Sequence, residues 1–193
     1  MTVMTVRTKQ PGRRRHGFTL VESMATIAVL GILGSTASFL ILDAVDDYTD
    51  ASVRVQLHSE MSIALDRAMR EIRKIELDTS AADVAPDITS MAVTLLQWED
   101  SSGNAYRLGT SGSELQLQIA GGAIATLLTD VTALTISIFN EDNADLGASC
   151  AGAGCDAVRR IAVDVTTQRN GVTESLRFKA FIRSTMSGAQ GGA

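Results

Sequence analysis

The sequence predicts an α+β fold: one long N-terminal helix, membrane-spanning in its first half and amphipathic in its second, packed on an antiparallel β-sheet head. Three observations predict it. Residues 18–42 form a run of 25 residues with a single charged side chain, Glu22. Leu57, Met61, Ala64, Leu65, Ala68, Ile72 and Ile75 recur at three- and four-residue steps, which places them on one side of a helix. In the second half of the chain apolar and polar residues alternate with a period of two, as strands with one buried face require.

The elements follow in order. Residues 1–17 carry Arg7, Lys9, Arg13, Arg14 and Arg15 and no acidic residue. The apolar run comes next; at 1.5 Å per residue it reaches roughly 37 Å as a helix, enough to cross a hydrocarbon core of roughly 30 Å. Asp43, Asp46, Asp47 and Asp50 follow it. Cations before the span and carboxylates after it place residues 1–17 in the cytoplasm and the body across the membrane. A secretory signal peptide has an apolar core of only about 7–15 residues, so this run is too long for one. A plain anchor fits the length but leaves Glu22 unexplained. A carboxylate costs about 2.5–3.5 kcal/mol at the centre of a span and less near its edge, so it needs a function and a partner.

Gly17-Phe18-Thr19-Leu20-Val21-Glu22, after a basic leader and before Met24, Ile27, Ala28, Val29, Leu30, Gly31, Ile32 and Leu33, resembles the processing motif of type IV prepilins and type II secretion pseudopilins. The resemblance implies that a prepilin peptidase cuts between Gly17 and Phe18 on the cytoplasmic side and methylates the new Phe18 amine. It also implies that Glu22 pairs with the terminal amine of a neighbouring subunit during assembly. An α-amino group with a reference pKa near 7.7–8.0 is largely cationic, and docking against it relieves the penalty on a lone buried carboxylate. Two departures stand out. Major pilins of this kind kink the stem with a proline, whereas this stem has none and carries Phe39 about where one is expected. The only prolines are Pro11 and Pro86, which reads as a minor subunit. Met4 is an alternative start that leaves the motif intact.

Past Leu42 the helix is expected to continue as an amphipathic stem over residues 43–78, its apolar stripe forming the seam against a sheet. Asp50–Arg54 and Asp66–Arg70 are i,i+4 pairs in the favourable orientation. A loop is expected over residues 78–89, and a β-rich periplasmic head over residues 79–185. Leu115, Leu117 and Ile119 alternate with Glu114, Gln116 and Gln118; Leu134, Ile136 and Ile138 with Thr135 and Ser137; Ile161, Val163 and Val165 with Ala162, Asp164 and Thr166. Further strands are expected near residues 92–98, 105–108, 123–128 and 176–182. Turn signals separate them at Ser101-Ser102-Gly103-Asn104, Ser111-Gly112-Ser113, Gly121-Gly122 and Asn170-Gly171. Residues 186–193 are small and polar and read as a disordered tail.

The order of elements in the head also resembles the J-class minor pseudopilins of type II secretion. In those a strand like residues 131–139 precedes a variable loop, then a Val-Arg-x-Ile strand, here Val158-Arg159-Arg160-Ile161, and a final strand ends near an arginine, here Arg183. Related members often carry Asn next, where this chain has Ser184. Cys150 and Cys155 flank Ala151-Gly152-Ala153-Gly154 in a loop expected to face the periplasm, where an oxidising compartment favours a disulfide; free thiols are the alternative. The acidic stretch Asn140-Glu141-Asp142-Asn143-Ala144-Asp145 lacks the spacing and closing glutamate of an EF-hand loop and reads as a solvated loop, although some pseudopilins bind calcium.

Composition narrows the function. Removing residues 1–17 leaves 12 basic against 22 acidic side chains, taking the net charge from −5 to −10. That disfavours a nucleic-acid partner, since phosphate binding needs clustered Lys and Arg. The histidines are His16 and His58; with two cysteines besides, no zinc ligand set or histidine-assisted nucleophile is readily built. There is no Walker loop and no Gly-x-Ser-x-Gly elbow. No catalytic residue, metal or cofactor is expected. The expected partners are other pilin or pseudopilin subunits, the prepilin peptidase and the inner membrane. An export-anchored enzyme or binding domain that borrows this leader is the competing class. Adhesion, motility or DNA uptake would keep the assembly and change its task.

Overall fold

The computed structural model describes residues 19–81 and 84–187. They fall into two compact units, Met1–Asp47 and Tyr48–Ala193.

Helix α1, Leu20–Ile72, is continuous over 53 residues and contributes to both units. It begins at Thr19, whose hydroxyl oxygen accepts the backbone N–H of Glu22 at 3.3 Å. Thr-x-x-Glu is a helix-start signature: the threonine satisfies an orphan donor and the glutamate sits where the helix dipole favours an anion. Within the first unit the side chains face outward; Leu30 and Leu33 are 66% and 58% exposed. A stretch of this helix has a mean hydropathy of 2.1 and none of it is buried, so it is long and apolar enough to cross a membrane. Its hydroxyls need no outside partner. Those of Ser23, Thr26, Ser35, Thr36 and Ser38 donate to carbonyls one turn back at 2.8–3.0 Å, which makes them tolerable in lipid.

The second unit is built on the rest of α1. Leu57, Met61, Ala64, Leu65, Ala68, Met69 and Ile72 are its buried stripe, as the spacing predicts. The helix, however, stops at Ile72, six residues short of the expected 78. Lys74 N–H and Ile75 N–H bond back only three residues, to Glu71 and Ile72 carbonyls, tightening the last turn. Leu77 then bridges Pro86. Ile75, 1% exposed, still reaches the core, so the stripe continues after the helix has ended.

Among the described residues nine strands form two antiparallel sheets in place of the single expected one. The first holds β1 Ile88–Ala92, β2 Leu95–Glu99, β3 Ala105–Ser111, β4 Glu114–Gln118, β5 Ile124–Leu128 and β7 Cys150–Ala151, in the order β5-β4-β3-β2-β1-β7. The second holds β6 Val131–Phe139, β8 Arg160–Arg169 and β9 Val172–Phe181, in the order β6-β8-β9. Predicted strand 92–98 is instead the end of β1, a two-residue turn and β2, with Ala92 paired to Leu95. β1 occupies part of the expected loop. Alternation holds on the core face: Leu115 and Leu117, Leu134, Ile136 and Ile138, and Ile161, Val163 and Val165 are all buried, but Ala162, read on the opposite face of β8, is buried as well. Ile119 lies just past the end of β4.

The core joins these layers. Met61 to Ile72 of α1 pack with Trp98, Leu108, Ile136, Val163 and their neighbours, each fully buried aliphatic side chain contributing about 1.5–3 kcal/mol. Trp98 and Tyr106, paired across β2 and β3, stack at 5.5 Å. Asn170 and Gly171, with φ of 53° and 84°, close the β8–β9 hairpin in the left-handed turn that two-residue loops favour. Residues 183–187 form a short helix, α2 Arg183–Ser187, so the expected tail is helical at its start; residues 188–193 lie outside the described residues.

Candidate assembly site

Gly17 and Phe18 lie outside the described residues. Glu22 is described: it stands exposed in the first turn of α1. Glu22, Ala25, Thr26, Val29 and Leu30 share one helix face and line a shallow apolar groove below the carboxylate. The small Ala25 lies beside Glu22 in this lining, and Glu22 is the only Asp, Glu, Lys or Arg among the described residues 19–42.

The other residues singled out in the sequence gather in the head. Cys150 and Cys155 are joined by a disulfide with Cα atoms 5.3 Å apart. Cys150 pairs across β7 with Met91 of β1, and Cys155 is fully buried, so the bond ties a two-residue edge strand to the core. Arg159 of the Val-Arg-x-Ile segment is a three-way clamp: its guanidinium donates to the carbonyls of Asp156 at 2.5 Å, Val158 at 3.0 Å and Val84 at 2.9 Å. Ser184 donates to the Ile75 carbonyl at 2.7 Å, holding α2 to the tightened end of α1, a bond that an asparagine amide could equally make. Arg183 is exposed.

In the acidic stretch, Arg160 donates to the Asn143 side-chain oxygen at 2.7 Å and the Glu141 carbonyl at 3.0 Å, and Asn140 accepts the Ala144 N–H. A guanidinium organises oxygens that a cation would need. Among the described residues no group of three or more His, Cys, Asp or Glu is placed to hold a metal ion.

Sequence reading missed the straps between α1 and the β8–β9 hairpin. Arg169 is 2.9 Å from Glu60 and 2.7 Å from Asp130; Arg54 is 2.9 Å from Glu174. The Arg169 and Gln56 hydrogen bonds hold the Glu60 carboxyl below its usual range, and Glu60 and Asp130 raise the pKa of Arg169. Partners 109 residues apart, such as Glu60 and Arg169, leave no local pattern. The expected Asp66–Arg70 pair forms at 3.2 Å, but Arg54 turns to Glu174 rather than to Asp50 because the hairpin carboxylate lies beside the stem.

At the end of α1 carboxylates crowd. Glu71, Lys74, Glu76, Trp98, Glu99, Asp100 and Tyr106 line a cavity of about 110 Å³. Nearby, burial and the charges of Asp78, Glu99, Glu76 and Asp100 push the Asp87 carboxyl up. Hydrogen bonds from Asn104, Ser102 and Tyr106 hold the Asp100 carboxyl down.

The family model of the prokaryotic N-terminal methylation motif matches residues 12–38, the stretch that contains Gly17, Phe18, Glu22 and most of the apolar span. A search of curated proteins finds no match. In its methylation motif, and in its long apolar N-terminal helix followed by an antiparallel β head, this chain is type IV pilin-like.

Proposed function

We propose that the chain is a non-enzymatic minor pilin or pseudopilin. A prepilin peptidase cuts it between Gly17 and Phe18 and methylates Phe18. The product stays in the inner membrane with its head on the periplasmic side. From there it assembles through α1 with other such subunits into a type II secretion pseudopilus or a type IV pilus, in a tip or initiation complex. The observation that carries this reading is Glu22: one carboxylate on an otherwise apolar helix face, immediately after a motif matched for N-terminal methylation. Cutting at Gly17 creates a cation one helical turn away along the chain, and the same cation on a neighbour offers the carboxylate a partner that fixes the axial register between subunits. The element order of the head supports the J-class pseudopilin role, with Arg159 and Ser184 at structural joints.

The experiment has two arms in cells that make the full chain. Gly17→Trp should leave the leader attached, seen as a heavier band and a missing methylated Phe18 in mass spectra; normal processing contradicts the peptidase reading. Glu22→Ala should be inserted and cut as usual but recovered in sheared fibres at roughly a tenth of the normal level, the loss expected when about 1.4 kcal/mol of docking energy is removed. Undiminished recovery shows that the carboxylate is not the docking charge.

A further inference from the structure

Residues 147–157 form a flap whose two ends are fastened to the end of β6. The Leu146 N–H donates to the Ile138 carbonyl at 3.0 Å, and the Arg159 N–H to the Phe139 carbonyl at 2.8 Å. Val158 is fully buried, and the Arg159 guanidinium grips the carbonyls of Asp156, Val158 and Val84. Between these ends the chain has little to hold it. Seven of the eleven residues are glycine or alanine, which have almost no apolar side chain to bury, and glycine loses the most chain freedom on ordering. All but Cys150, Cys155 and Asp156 are exposed. Two anchors remain. One is the pair of rungs Met91–Cys150 and Ser90–Ala151, which cover the edge of β1 that faces away from β2. The other is Cys155, 0% exposed and packed in the core. The Cys150–Cys155 bond joins the two anchors across Ala151-Gly152-Ala153-Gly154, so that neither lets go without the other.

We propose that this flap is a redox latch, opened by exchange with a protein dithiol at Cys150. Cys155 is wholly buried and Cys150 partly exposed, so a thiolate arriving from solvent meets the Cys150 sulfur. Its sulfur bonds to Cys150 as the Cys150–Cys155 bond breaks, and Cys155 leaves with the electron pair and takes up a proton. The second thiol of the partner, as thiolate, then displaces Cys150, which also ends as a thiol. The latch gains two electrons and two protons, and the partner becomes a disulfide. With the anchors uncoupled, residues 147–157 swing out. The sheets stay folded on strand pairs that the flap does not make. The bared edge of β1 then offers backbone groups around Ser90 and Met91 as a template on which another chain can add a strand. Oxidised, the latch keeps that edge covered. The latch lies in the head alone, so it can fail with the Gly17 cut and the Glu22 contact intact, and they with it.

The test uses the purified full-length protein in detergent micelles, oxidised and without denaturant. Dithiothreitol should reduce the bond, and reoxidation should restore it. Reduction should raise the rate at which an elastase, which cuts after small residues, cleaves within residues 147–157 by about tenfold or more. Amide exchange at Ser90 and Met91 should quicken by a similar factor, with β8 and β9 still protected. Glutathione, a monothiol, followed by an acid quench and peptide mapping by mass spectrometry, should be found on Cys150, with Cys155 left as the thiol. Protection kept in β8 and β9, and the return of elastase resistance on reoxidation, show that the reduced protein is folded. The latch is overturned if the bond yields only in denaturant, if the reduced flap resists elastase as the oxidised one does, if β8 and β9 lose protection together with β1, or if glutathione sits on Cys155.

Discussion

Arg169 shows how much one side chain can decide in this fold. It donates to Glu60 on α1 and to Asp130 in the β5–β6 turn from the end of β8, joining three segments with one planar fork, a task for which arginine is suited and lysine is not. Its partners are 36% and 41% exposed, so water discounts the pair. Arg169→Leu should cost about 1–2 kcal/mol, read from the denaturant midpoint of the full-length protein in micelles, whereas Asp66→Asn on the exposed pair with Arg70 should cost no more than about 0.5 kcal/mol. Equal effects would mean that the three-way junction adds nothing over an ordinary surface pair. Asp87 makes the opposite contribution. Its folded pKa is raised by burial and by neighbouring carboxylates, so folding favours the protonated form and the charged form is a burden at neutral pH. Stability should therefore rise as pH falls toward that raised value. It should drop again only as pH passes below the ordinary carboxyl range, where the hydrogen-bonded Glu60 and Asp100, both lowered, take up protons. Asp87→Asn should raise the melting temperature at pH near 7 and abolish the rise on mild acidification; a variant that melts lower at neutral pH would show that the carboxylate is a net support.

At the scale of elements, the sequence was most readable where one period governs a whole segment. The stripe from Leu57 to Ile72 and the alternation in β4, β6 and β8 are each set by burial of one face, so the pattern and the structure agree. It was least readable where local chemistry changes without changing the pattern. Ile75 continues the stripe although the helix has given way to a tightened turn, and Val93-Thr94 turns a hairpin without glycine, asparagine or proline, so the apolar run around it looked like one strand. Two sheets instead of one could not be read at all, because β6 pairs not with the preceding β5 but with β8, across a long connection. For the candidate site, Glu22 and the motif before it were legible because chemistry and spacing lie within six residues; the clamps by Arg159, Arg169 and Ser184 were not, because their partners come from distant segments. The disulfide belongs at this scale. β7 is held to β1 by two rungs only, so the Cys150–Cys155 bond, closing a loop with a sequence separation of 5, supplies roughly 2 kcal/mol of chain-entropy stabilisation to that edge. Replacing both cysteines by serine should speed amide exchange at Met91 and Ala151 by more than tenfold, the factor that about 1.4 kcal/mol corresponds to, while β8 and β9 stay protected. Uniform loss of protection would make the bond a global staple instead of an edge fastening.

Across the whole molecule the decisive asymmetry is electrostatic. Five cationic side chains precede the apolar helix and four aspartates follow it within the next eight residues. Moving a cation through the hydrocarbon costs about 2.5–3.5 kcal/mol even at the low insertion-scale figure, and short basic segments beside a span are retained on the cytoplasmic side. An inverted chain would have to carry all five across. If the leader is removed, that retaining charge goes with it and residues 18–193 carry a net charge of −10, Glu22 included; on the proposed reading the head has by then reached the far side. The prediction is a labelling pattern. A membrane-impermeant maleimide should modify Ser59→Cys, an exposed position on the second unit's part of α1, in cells with an intact inner membrane. It should reach Thr5→Cys, carried on Gly17→Trp so that the leader stays attached, only after that membrane is permeabilised. Cys150 and Cys155, joined to each other, add no background. The reverse pattern would put the head in the cytoplasm, away from any fibre. It would leave the match over residues 12–38 without a peptidase on the correct side to use it.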